Sequence, residues 1–85
     1  MAKGTLNQSE IDELKQNPYV LDVSATRITY TEEFKQHFMR EYNNGKKPTP
    51  IFRDAGFDTT ILGPKRIERA TARWKSAYAK GRIEL

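Results

Sequence analysis

Residues 64–80 read Pro64-Lys65-Arg66-Ile67-Glu68-Arg69-Ala70-Thr71-Ala72-Arg73-Trp74-Lys75-Ser76-Ala77-Tyr78-Ala79-Lys80, with no glycine or second proline before Gly81. A proline at the first helical position and a glycine just past the last one mark the ends of a helix. Its length is about 25 Å at a rise of ~1.5 Å per residue, which makes it the longest element expected. Projected at about 100° per residue, Ile67, Ala70, Thr71, Trp74, Ala77 and Tyr78 share one side, an apolar face suited to packing. Arg66, Arg69, Arg73 and Lys80, joined by Lys65, gather within about 100° on another side. The helix's only acid, Glu68, points away from that ridge.

An amphipathic helix of this kind needs partners to cover its apolar face. Upstream, Thr31 is a good N-cap, Glu32 and Glu33 suit the positive helix start, and Phe34, Phe38 and Tyr42 recur every four residues before Asn43-Asn44-Gly45. That pattern predicts a helix over 32–44. After Lys46-Lys47, Thr49 as N-cap and Pro50 at the first helical position open a short helix through Ile51, Phe52 and Ala55, closed by Gly56. Phe57 to Gly63 reads as a linker in which Asp58 caps a single turn over Thr59–Leu62.

Before these helices, Ser9 offers an N-cap, and Glu10, Asp12 and Glu13 with Ile11 and Leu14 suggest a short helix to about Gln16, stopped by Asn17-Pro18. The first few residues are expected to fray. From Tyr19 to Tyr30 the residues become β-branched and aromatic around a polar Ser24-Ala25-Thr26 centre, which predicts a small hairpin. Two strands alone are marginal in water, so the ribbon must lean on the helices. The expected fold is therefore mainly α: a three-helix bundle of helix-turn-helix type, with an N-terminal short helix and a small β-hairpin.

At 85 residues the chain is long enough for one domain, with residues 1–30 as an extension and 31–80 as the helical core. Hydrophobic residues make up 36%, so four Phe, four Tyr and one Trp must close a thin, aromatic core. The absence of cysteine excludes disulfides and Cys-containing zinc sites, and leaves the fold to packing alone. No stretch approaches the ~18 apolar residues that span a bilayer, and the start lacks a signal peptide's apolar run, so a cytoplasmic location without a membrane is expected. Net charge is +4, and it is polarised along the chain. Residues 1–45 hold five Lys/Arg and seven Asp/Glu, whereas residues 46–85 hold ten and four.

A ridge of one sign attracts polyanions. Duplex DNA carries one negative charge per ~1.7 Å of axis, and a row of cations that docks on it releases condensed counterions. Arginine adds geometry, because its planar fork bonds guanine O6 and N7 together in a major groove wide enough to admit a helix. Lys65, Arg66 and Arg69, near the helix start, are the candidates for base reading, with Arg73 and Lys80 extending the ridge. Lys46 and Lys47 precede the short helix, where free N–H groups also favour a phosphate; a polar turn explains them equally well, and Arg53 stands nearby in sequence. Charge rows on long helices are commonly solvated faces. Such faces, however, usually alternate sign and form i, i+4 pairs, and this ridge does not. A protein-interaction module that docks an acidic partner without nucleic acid is the rival reading, and RNA binding a third. Duplex DNA is the expected partner, and a homodimer or a protein partner is compatible with it.

Other chemistry finds little support. His37, the single histidine, lies beside Phe34, Phe38 and Glu41 in projection and has no cysteine or second histidine to form a metal site with, so it reads as structural. Trp74 and Tyr78 sit at core spacing, which argues against stacking on unpaired bases. No Gly-rich phosphate loop, Ser/His/Asp set or paired carboxylates can be identified, so neither catalysis nor a cofactor is expected.

Tyr30-Thr31-Glu32-Glu33-Phe34-Lys35, continuing to Glu41-Tyr42-Asn43-Asn44-Gly45-Lys46 and Ile51-Phe52-Arg53-Asp54-Ala55-Gly56-Phe57, resembles the opening of transposase-type helix-turn-helix domains. Asn17-Pro18-Tyr19-Val20 and Lys65-Arg66-Ile67 are similar to segments of short bacterial helix-turn-helix proteins. The likeness implies a three-helix DNA-binding fold in which helix 64–80 is the recognition element and Lys65, Arg66 and Arg69 face the groove. One departure stands out: the connection from Gly56 to Gly63 is about twice the three or four residues usual in this motif. A transposase catalytic domain is also lacking, so the resemblance implies an accessory or regulatory module that binds without cutting.

Overall fold

The computed structural model describes residues 5–84, and the expectation of fraying at the first residues lies almost entirely outside them. The element order is α1 (Gln8–Lys15), β1 (Val20–Val23), β2 (Ile28–Tyr30), α2 (Glu32–Asn43), α3 (Pro48–Asp54) and α4 (Thr59–Ala79). The fold is mainly helical with one antiparallel hairpin, as expected. Two helix starts differ from the sequence reading. α1 is capped by Asn7 and not by Ser9. The Asn7 side chain accepts from the Glu10 N–H at 2.8 Å, and the Glu10 carboxylate accepts from the Asn7 N–H at 3.0 Å, a reciprocal capping box. α3 begins at Pro48, with Lys47 as a cap that contributes no side-chain bond, so the expected Thr49 cap and Pro50 start fall inside the helix. The physical reason is that first-turn N–H groups have no intrahelical partner, so both prolines fit there without losing a bond.

The hairpin pairs Val20 with Tyr30, Asp22 with Thr29 and Val23 with Ile28, and an irregularity between Val20 and Asp22 leaves Leu21 turned to solvent. The Ser24 N–H donates to the Arg27 carbonyl at 2.8 Å and closes the turn. The Leu6 N–H donates to the Ala25 carbonyl at 2.6 Å, which ties the chain before α1 to that turn. Asn17 does more than end α1. Its side chain donates to the Ala55 carbonyl at 3.2 Å and accepts from the Tyr19 N–H at 2.8 Å, linking the N-terminal part to the connection between α3 and α4.

That connection opens with Ala55–Asp58. Gly56 takes φ of 95°; its N–H donates to the Arg53 carbonyl, and the Phe57 N–H to that of Phe52, in a Schellman arrangement that seats Phe57 in the core. The Asp58 carboxylate then accepts from the Thr60 N–H at 2.9 Å, and this bond with the Thr60 hydroxyl holds the acid below its usual range. The expected single turn over Thr59–Leu62 is present and capped by Asp58 as expected, and the long helical stretch of α4 runs from Pro64 to Ala79, so the connection from α3 to that stretch keeps the length read from the sequence. Gly63, at φ 79° and ψ 154°, breaks the helical geometry just before Pro64, because the proline ring disfavours α geometry in the residue before it.

The core is aromatic. Phe34 is fully buried, and its ring centroid lies 5.1 Å from Phe52, 5.2 Å from Phe57 and 5.6 Å from Trp74. Tyr30 meets Trp74 edge-on at 5.2 Å, so the hairpin contributes directly to the packing of α4. Ile67, Ala70, Thr71 and Trp74 are buried as the apolar face requires, and the Thr71 hydroxyl donates to the Ile67 carbonyl at 2.8 Å. Tyr78, placed on that face by periodicity, is 39% exposed. Angle alone does not decide burial near a helix end, where no facing element is left to cover the side chain. His37 is half-buried and stacks on Tyr19 with centroids 6.2 Å apart, consistent with its structural reading. Among the described residues no helix is long and apolar enough to cross a membrane.

Candidate nucleic-acid interface

Two helices set the orientation of α4: α2 and α3 cover its apolar side. The site lies on its long stretch after the Gly63 break. Its remaining surface divides into two flanks and a ridge between them.

On the ridge, Lys65 and Arg69 are exposed together with Ala72 and Ser76, and Arg73 and Lys80 are exposed at its margin. Among the described residues no carboxylate forms an ion pair with Lys65, Arg69, Arg73 or Lys80. Arg66 is half-buried, on the flank that faces the hairpin. There Thr26, Arg27, Ile28 and Tyr30 form one wall of a cleft of about 230 Å³, with Arg66, Arg69 and Arg73 forming the other. Tyr30 lies at this junction. Burial pushes its phenol up to about 12, and the nearby charges of Arg66 and Arg73 partly oppose the rise.

On the opposite flank, Lys47 and Pro48 at the start of α3 border a groove of about 490 Å³ with Glu68, Ala72 and Lys75. The Lys75 ammonium sits 5.5 Å from the Tyr42 ring centroid, over a neighbouring helix. Lys46 is not on the groove. Its ammonium pairs with Asp54 at 2.6 Å and Glu41 at 3.6 Å. The bond to Asp54 raises the lysine's pKa and lowers the acid's. The two adjacent lysines singled out in the sequence are thus separated in role: Lys46 is held by two carboxylates, whereas Lys47 is exposed beside α4.

The structure brings Lys65, Arg66, Arg69, Arg73 and Lys80 onto one side of α4, as their spacing predicts, and adds two arginines that the sequence reading missed. Arg27 reaches the same side from the hairpin turn, and Arg82 follows the Gly81 cap, where its N–H donates to the Ala77 carbonyl at 2.9 Å. Neither has a helical spacing that links it to the ridge. The only signal available for Arg27 was a cation at the tip of a predicted ribbon.

No curated protein and no solved structure matches the chain. The family model for transposon-related helix-turn-helix domain proteins matches residues 1–82, nearly the whole length. The match includes the N-terminal helix and hairpin as well as the three helices. The chain belongs to the family of transposon-related helix-turn-helix domain proteins.

Proposed function

We propose that this protein binds duplex DNA through the exposed ridge of α4, as an accessory or regulatory module without catalytic chemistry of its own. The observation that carries the reading is the coincidence of two features on one element. The long stretch of α4 from Pro64 follows α3 as the last helix of the bundle, and among the described residues no carboxylate forms an ion pair with Lys65, Arg69, Arg73 or Lys80 on its exposed ridge. In helix-turn-helix docking, residues near the start of the second helix reach base edges in the major groove, while flanking groups contact the backbone. Lys65 and Arg69 hold the reading positions in this scheme. Arg66, Arg73 and Lys80 supply further contacts along the helix, and the backbone contact expected of the Lys46–Lys47 pair falls to Lys47. The like charges of Lys65, Arg69 and Arg73 on one side of a helix repel one another, and a phosphate array relieves that repulsion.

The test is fluorescence anisotropy of labelled duplexes against a salt series. The parent is expected to bind at low salt and to weaken linearly on a log–log plot as salt rises. The variant K65E/R69E, altered at two exposed positions, is expected to lose duplex binding while its circular dichroism stays helical. If it binds as well as the parent, the assignment of the ridge is wrong.

A further inference from the structure

The cleft between the hairpin and α4 does not end at Arg66 and Arg69. A second cleft of about 450 Å³ adjoins it, lined by Arg27, Tyr30, Lys35, Arg73 and Arg82 among others, and the two share Arg27, Ile28, Tyr30 and Arg73. They form one trough along the hairpin side of α4. Five arginines border it, from three separate parts of the chain: Arg27 from the hairpin, Arg66, Arg69 and Arg73 from α4, and Arg82 from the segment after it. The acid at its edge, Glu32, pairs with Lys35 at 3.2 Å, so its charge is largely taken up. Beside that pair, the charged groups lining the trough are the arginine guanidinium groups, set around Tyr30 with Thr26 and Thr29.

We propose that this trough holds the sugar–phosphate backbone of one DNA strand, with the hairpin acting as a second DNA-contacting element beside α4. The proposal rests on the duplex-binding reading of α4 and divides its cations by task. Planar guanidinium groups bond phosphate oxygens through paired N–H donors, which a lysine cannot reproduce. An elongated trough lined from both sides suits a run of phosphates better than a single small anion. Its walls are held in place by the Leu6 to Ala25 hydrogen bond behind the turn and by the Tyr30 to Trp74 packing beneath it. Arg27, Arg73 and Arg82 then grip the strand without reading it, whereas Lys65 and Arg69, on the ridge, enter the groove.

The experiment measures the salt dependence of duplex binding for the parent, R27A, R82A, R27K and R69A. Each backbone contact removed from R27A or R82A should reduce the slope of log K against log salt by about 0.9. The loss should be the same on every duplex sequence. R27K, which keeps the charge, should retain most of the slope, and R69A should change the preference in a selection from random duplexes. Unchanged slopes in R27A and R82A, beside a parent that binds, overturn the trough and leave the ridge intact. A parent that binds no duplex overturns the α4 reading itself and the trough with it. Competition by polyglutamate as effective as that by duplex of equal charge overturns the strand in favour of a general polyanion surface.

Discussion

Tyr30 joins three parts of the molecule: it ends β2, packs edge-on against Trp74 and lies within the reach of the Arg66 and Arg73 charges. Its phenol is raised from an ordinary value of 10.0 to about 12 because burial disfavours the phenolate. The raised value means that the folded state keeps a proton that the unfolded state loses. Stability is therefore full below pH 10 and falls as the pH rises from about 10 towards 12, by up to about 2–3 kcal/mol. Replacing Tyr30 with Phe should remove this component. Urea denaturation at several alkaline pH values should show the parent losing stability relative to Y30F across that window, and a constant difference between them would contradict the burial argument. The other telling residue is Lys46, which shows why a charge in sequence is not a charge available to a partner. Its ammonium is taken by Asp54 and Glu41, while its neighbour Lys47 is left in solvent.

At the level of elements, the junction between α3 and α4 matters most. Gly63 and Pro64 are strong punctuation, and a reading of sequence places the start of the last helix there. The backbone of Gly63 is non-helical there, and the Asp58 cap and the buried Leu62 hold a separate turn over Thr59–Leu62 in front of it. A Cβ on Gly63 would meet nothing within 4 Å, so Gly63→Ala isolates the cost of the positive φ. It should destabilise the protein by about 1–2 kcal/mol, visible as a lower urea midpoint with an unchanged slope. A neutral result would mean that the bend relaxes into continuous helix. Gly56 makes a different case. There an added Cβ would also approach the Asn17 amide at 3.3 Å, and that amide tethers α1 to the same turn.

For the whole molecule, one buried cluster runs from Leu6 and Leu14 through the aromatic centre to Ile83. We therefore propose that the N-terminal extension and the three helices form a single domain and unfold together. Trp74 is buried at the centre and is the sole tryptophan, so its fluorescence reports the core while circular dichroism reports all the helices. The two transitions should coincide. Phe34→Ala should cost about 3–5 kcal/mol in both, since the ring is fully enclosed by other aromatics. Separate transitions would assign the helix and hairpin of residues 8–30 to an independent unit.

The elements themselves were legible because they rest on local physics. Thr31 and the Phe34, Phe38, Tyr42 spacing determined α2, and the alternation of β-branched residues determined the hairpin. The angular grouping of cations on α4 follows from helical geometry and needs no partner. The Asn7 cap and the Pro48 start were missed because several adjacent residues satisfy the same local rule, and packing of Leu14, Ile51 and Phe52 chooses among them. Only the tertiary structure placed Arg27 and Arg82 beside α4 and paired Lys46 with its acids. Each of those depends on contacts between separate elements of the chain, and no periodicity encodes them.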